Sequence, residues 1–160
     1  MTLIEIFIQG LIVFLISMAP IGELRFSIPY GIIYTDLSTL AVVLISVIGN
    51  ILVGAIIIYI LPLILSFILK IKIIRQTYFY ISKRTYSRSR IIQRRKYYGL
   101  IFFVSLPLPF TGVWTGALAA NLLGLSKIKS VSAICFGVCI SSTIVTLLVN
   151  FGLLTFNKIF

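Results

Sequence analysis

The chain has 160 residues, 60% of them apolar and only 11% charged, with a mean hydropathy of +1.17. Soluble domains sit nearer about 45–50% apolar and about 25% charged, so composition excludes an ordinary soluble domain and points to an all-α integral membrane protein. Histidine is absent and the three acids, Glu5, Glu23 and Asp36, are scattered, which removes imidazole triads and His-based metal sites and leaves paired-carboxylate chemistry little to work with.

In chain order, residues 2–19 are an apolar stretch whose one charge is Glu5, without the basic leader of a signal peptide. They run into Pro20-Ile-Gly-Glu-Leu-Arg25, after which a short apolar leg contains Pro29 and Gly31. Residues 40–61 are long enough to span a bilayer and should end or kink at Pro62. Residues 70–96 hold ten of the 14 Lys and Arg and no acid. They read as a cytoplasmic linker. Ile74, Tyr78 and Ile81 recur there at helical spacing, which predicts an amphipathic helix that binds anionic head groups of the inner leaflet rather than nucleic acid. Residues 97–125 are interrupted by Pro107, Pro109, Gly112 and Gly116, and 131–156 form a second span. Cys135 and Cys139, one helical turn apart within it, read as packing thiols.

The expected architecture is a single membrane domain over 1–160, built as an inverted repeat. The first repeat is 1–69, with a broken re-entrant helical hairpin at 3–35 and a transmembrane helix at 40–61. The basic amphipathic linker is 70–96. The second repeat is 97–160, with a re-entrant hairpin at 97–125 and a transmembrane helix at 131–156. With the linker, Lys127 and Lys129 on the cytoplasmic side, Glu5 and Asp36 fall outside and the two halves run in opposite orientation. At an offset of 88 residues Ser17 matches Ser105, Leu37-Ser38 matches Leu125-Ser126 and Gly49 matches Gly137. Paired broken helices in inverted halves are the pattern of secondary transporters, with the site where the breaks meet.

Glu23 and Arg25 lie in the first break, and a charge at membrane depth costs about 2.5–3.5 kcal/mol even on lenient scales. They should pair with each other, with freed backbone groups or with a substrate. In the second break Pro107 and Pro109 free carbonyls, Thr111 and Thr115 supply hydroxyls, and the single tryptophan, Trp114, either lines the site or anchors at the interface. A half-helix beginning near Thr111 would aim free N–H groups at an anion. Ser46, Asn50 and Gly54 share a helix face, as do Ala133, Gly137 and Ser141. Packing is the plain reading of these faces, although a mid-span amide such as Asn50 wants a partner. The candidate substrate-binding set is Glu23, Arg25, Pro29, Asn50, Pro107, Pro109, Thr111, Trp114 and Thr115. No metal site and no cofactor are expected.

Pro20-Ile-Gly-Glu-Leu-Arg-Phe-Ser-Ile-Pro-Tyr-Gly31, Gly49-Asn50 with Pro62 downstream, and Leu106-Pro-Leu-Pro-Phe-Thr-Gly-Val-Trp-Thr-Gly-Ala-Leu-Ala-Ala120 resemble the small multi-drug export protein family over most of the chain. The resemblance implies a prokaryotic inner-membrane protein and, by the family's name, export. A more distant similarity is to the DedA group, whose members carry two opposed re-entrant hairpins and are linked to moving lipid carriers. Glu23 and Arg25 match that group's first hairpin in kind, whereas residues 106–120 depart from it in having no charge.

The leading expectation is a multi-pass transporter, exporter or lipid flippase, ion- or proton-coupled through Glu23, acting on a lipophilic or anionic small molecule and assembled as a homo-oligomer, a dimer. The alternative is a scaffold or assembly factor that works through its basic linker. An enzyme is not expected, because Ser105 and Thr111 have no base beside them.

Overall fold

A computed structural model describes residues 2–68, 96–108 and 111–159, the side chains of 65–68 and 156–159 excepted. Among them the chain forms six α-helices and no strand. The amphipathic-helix expectation for 70–96 lies outside the described residues except at Lys96, and so does Pro109.

Helix α1, Leu3–Met18, starts at a capping box. The Glu5 amide donates to Thr2 Oγ1 at 3.3 Å and the Thr2 amide to Glu5 Oε2 at 2.9 Å, which satisfies two donors that a helix start leaves free. The helix stops at Ala19, extended at ψ 142° as a residue before proline prefers. Helix α2 is Leu24–Tyr34, with Pro29 inside it. Helix α3 is Thr39–Ile68 and continues through Pro62. Of the two expectations for Pro62, an end or a kink, this overturns the end: proline removes one N–H, and in an apolar helix the bonds on either side carry the turn through. Helices α4, Lys96–Ser105, and α5, Val113–Leu122, flank the second break, and α6 is Lys127–Ile159.

Length separates these helices into two kinds. Thr39–Ile64 of α3 and Lys127–Thr155 of α6 are long and apolar enough to cross a membrane. At 1.5 Å per residue, α2, α4 and α5 are about 15–17 Å long, roughly half of a 30 Å hydrocarbon core.

Helix α1 packs on α2 and α3, and α4 packs on α5 and α6. The two sets join through α3 with α6, α3 with α5 and α2 with α6. Each pair of short helices is latched at its open end. Gln9 Nε2 donates to Asp36 Oδ2 at 3.2 Å while the Asp36 amide donates to Gln9 Oε1 at 3.1 Å, and the Ser126 amide donates to the Tyr97 hydroxyl at 3.2 Å. Bare backbone lets α1 approach α3, and α4 approach α6, closely. A side chain on Gly49 would overlap the Ser17 hydroxyl and stand 3.1 Å from the Phe14 carbonyl. One on Gly137 would stand 2.7 Å from Val104 Cβ and 3.0 Å from the Ile101 carbonyl.

The surface is inverted relative to a soluble protein. Leu40, Leu44, Ile48, Leu52, Ile56 and Ile60 form an exposed stripe at four-residue spacing, while Ser17, Ser27, Ser46, Asn50, Ser141 and Ser142 are buried. Continuous apolar surface of this extent is stable against lipid and not against water. The chain is a helical membrane protein.

Candidate functional site

The two breaks meet tip to tip. Pro20 ends α1, and the chain turns through Gly22 (φ 111°) and Glu23 (φ 52°) into α2. Positive φ at a residue with a side chain costs on the order of 1–3 kcal/mol, and at Glu23 the contacts made by its carboxylate offset that cost. The carboxylate accepts from the amides of Val113 at 3.1 Å and Trp114 at 3.2 Å, the first two residues of α5. It therefore sits on the positive end of a helix whose first N–H groups have no internal partner. Glu23 is buried.

Arg25 reaches across in the other direction. Its Nη2 donates to the Leu106 carbonyl at 3.2 Å, to Thr111 Oγ1 at 2.9 Å and to the Thr111 carbonyl. These acceptors belong to the break between α4 and α5, where proline at 107 cannot supply an N–H. Trp114 returns the bond. Its indole Nε1 donates at 3.1 Å to the carbonyl of Met18, the last residue of α1. Arg25 and Trp114 are each the second residue of the helix after a break, and each caps the carbonyl end of the helix before the other break.

A cavity of about 370 Å³ opens at this junction, lined by Glu23, Arg25, Phe26, Pro107, Thr111, Trp114 and Thr115 together with Pro20–Gly22. Six of the nine candidate residues therefore converge there. Pro29 lies inside α2 and Asn50 is buried in α3, so neither lines the cavity. Asn50 instead donates through Nδ2 to the Ser17 carbonyl at 3.0 Å. The hydrogen bonds of Glu23 and Arg25 go to freed backbone groups and to Thr111, the second of the three partnerships open to them, and not to each other. The anion expected at the start of the second half-helix is the protein's own carboxylate.

A family model described as "Putative small multi-drug export protein" matches residues 23–144. The chain belongs to the small multi-drug export protein family. The matched stretch begins at Glu23 and takes in α2, α3, α4 and α5, so it contains the residues with which Glu23, Arg25, Thr111, Trp114 and Thr115 build the tip junction. It leaves α1 outside, including the Met18 carbonyl that Trp114 holds. The name of the small multi-drug export family suggests transport rather than catalysis. Among curated proteins and among solved structures, none is similar enough to the chain to count as a match.

Within this small multi-drug export chain, sequence reasoning passed over Gly112 as a site residue. It caps α5 at φ 135°, and a side chain there would overlap the Glu23 carboxylate, with 2.8 Å from its Cβ to Glu23 Cδ. Glycine in a break was the available signal.

Proposed function

We propose that this protein moves a small amphiphilic substrate across a prokaryotic inner membrane, with the substrate held in the cavity between the two helical tips. The single observation that carries this reading is the tip junction. Two breaks meet there, three of their four flanking helices being about half a membrane's thickness, and beside the apolar contact of Leu24 and Val113 in the shared core they are joined by hydrogen bonds around a cavity. A volume of this order suits a small organic molecule. Parting the tips would free the start of α5 and the carbonyl ends of α1 and α4 together, and these are groups that bind anions and cations.

The repeat reading supports an alternating cycle. Relations among α1, α2 and α3 recur among α4, α5 and α6, and the Gln9–Asp36 latch has its counterpart in Tyr97–Ser126. With the basic linker and Lys127 cytoplasmic, the two tips enter from opposite faces as re-entrant hairpins. On this reading 1–160 is one membrane domain with no catalytic role.

The cavity's chemistry favours an anionic head on the substrate. Glu23 is neutralised by the start of α5, whereas Arg25 bonds only neutral oxygens, and all three of its bonds leave through Nη2. Its Nε and Nη1 donors are spare among the described residues. Exposed Ile21 and Phe26 at the rim would meet an apolar body.

The test is transport by the full chain in proteoliposomes, with Arg25→Ala set against the linker double variant Lys83→Ala/Arg84→Ala. Loss of flux with Arg25→Ala and near-normal flux with the linker variant supports the transporter. The reverse order favours a scaffold that acts through the linker on lipid or a partner.

A further inference from the structure

Four fully buried polar side chains, Ser17, Ser27, Ser46 and Asn50, gather where α1, α2 and α3 meet, below the tip cavity. Ser27 Oγ lies 2.9 Å from Ser46 Oγ, and Ser46 and Asn50 are one turn apart on α3. Between them Gly49 has no side chain, and the Ser17 hydroxyl presses onto that bare backbone. Asn50 Nδ2 donates to the Ser17 carbonyl, which fixes the amide's orientation, and its Oδ1 is buried without a partner.

This oxygen cluster is not required by the helix crossing that contains it. At the corresponding crossing of α4 on α6, Gly137 admits Val104, and Ala133, Ile134 and Val138 around it are buried apolar residues. The fold packs the same kind of junction with Ser105 and Ser141 buried nearby, but with Ile134 and Val138 where the offset of 88 residues would place Ser46 and Asn50. The hydroxyls have partners, Ser17 Oγ donating to the Phe14 carbonyl at 2.7 Å and Ser27 Oγ to Ser46 Oγ, and Asn50 Oδ1 is the unpaired atom of the cluster. Burying an amide oxygen unpaired costs on the order of 1–3 kcal/mol, so the cluster calls for an occupant.

We infer that Asn50 Oδ1 and the hydroxyls of Ser17, Ser27 and Ser46 form a binding site for a small monovalent cation, Na⁺. The donors are all oxygens, which hard cations prefer, and none is charged, which suits one positive charge rather than two. The carbonyl end of α1 adds negative partial charge from the same side. Ser17 precedes Met18, whose carbonyl is held by cavity-lining Trp114, so the cation site adjoins the substrate cavity. On the transport reading it would seat a coupling ion, but the site itself does not depend on that reading.

Thermal unfolding of the purified full chain in NaCl, KCl and choline chloride at equal ionic strength tests this. A melting temperature that rises saturably with Na⁺, and not with K⁺ or choline, is the expected result. The rise should vanish in Asn50→Leu and Ser46→Ala and survive in Asn50→Asp, which keeps the oxygen and adds charge. If Asn50→Leu does not fold, Ser46→Ala carries the test. Equal melting in the three salts, or an unchanged Na⁺ response in Ser46→Ala, means that the cluster holds water only and overturns the site. Na⁺ binding without substrate flux would remove the transport reading and leave the cation site standing. Flux without any Na⁺ response would do the opposite.

Discussion

The bare Cα of Gly112 and the carboxylate of Glu23 occupy complementary halves of one space. Any side chain at 112 would overlap the carboxylate that caps α5. Both residues cap the helix after a break and both have positive φ, so two structurally similar positions share room for a single acid. The glycine is as much a part of the tip junction as the glutamate.

Gly112→Ala should therefore dislodge Glu23 from the amides of Val113 and Trp114, besides straining a φ of 135°. The expected cost is about 1–3 kcal/mol of stability, seen as a lower melting temperature in detergent. Emission of the single tryptophan, which lies at the site of damage, should shift to the red. Unchanged emission and unchanged melting would contradict this role for Gly112.

Arg25→Lys should not restore what Arg25→Ala loses. One nitrogen of the guanidinium serves Leu106 and Thr111 together, and the planar fork keeps further donors for the cavity. Hydrogen bonds from a charged donor contribute about 1.5–3 kcal/mol each. Reconstituted flux in the lysine variant is expected to fall at least about tenfold, a change equivalent to about 1.4 kcal/mol in the barrier. Full activity with lysine would mean that charge alone is needed at position 25.

Trp114→Phe keeps an aromatic wall and removes the bond from the indole to the Met18 carbonyl. About 1 kcal/mol of stability should be lost. Stability equal to that of the native protein would show that the Met18 carbonyl is equally well served without the indole.

Glycine substitutions separate the helix crossings from the lipid face. Gly49→Ala and Gly137→Ala each force apart a helix pair whose backbones touch. Each should destabilise by about 1–3 kcal/mol. Gly152→Ala meets nothing within 4 Å and should be neutral or stabilising by up to about 1 kcal/mol. Melting temperatures of the three variants check the ordering.

The sequence disclosed the parts of this fold that are local. Uninterrupted apolar runs marked α3 and α6, and proline and glycine marked the two breaks. Glu23 and Arg25 pointed to the junction between the breaks, because isolated charge at membrane depth is costly and needs partners. What could not be read locally is which group satisfies which. Val113 and Leu106 lie about ninety and eighty residues from the charges that they hold, and no spacing rule connects them. The half-helix expected near Thr111 reads as open to a substrate anion only because its occupant, Glu23, comes from the first break. A mid-span amide such as Asn50 wants a partner, yet its bond to the Ser17 carbonyl and its company of serines depend on how α1 lies across Gly49. Pro62 allows an end or a kink, and α3 does not end there, since a break signal inside a long apolar helix is outweighed by the turns on both sides of it.

The most direct test of the central claim is access to the tip cavity from the two sides of the membrane. A single cysteine replaces Thr115, which lines the cavity, in a background lacking Cys135 and Cys139. Membrane-impermeant thiol reagents are then applied to right-side-out and to inside-out vesicles. A transport site predicts labelling from both sides, with substrate slowing both reactions. Labelling from neither side, or from one side under every condition tried, would mean that the junction is sealed structure and would contradict transport through it.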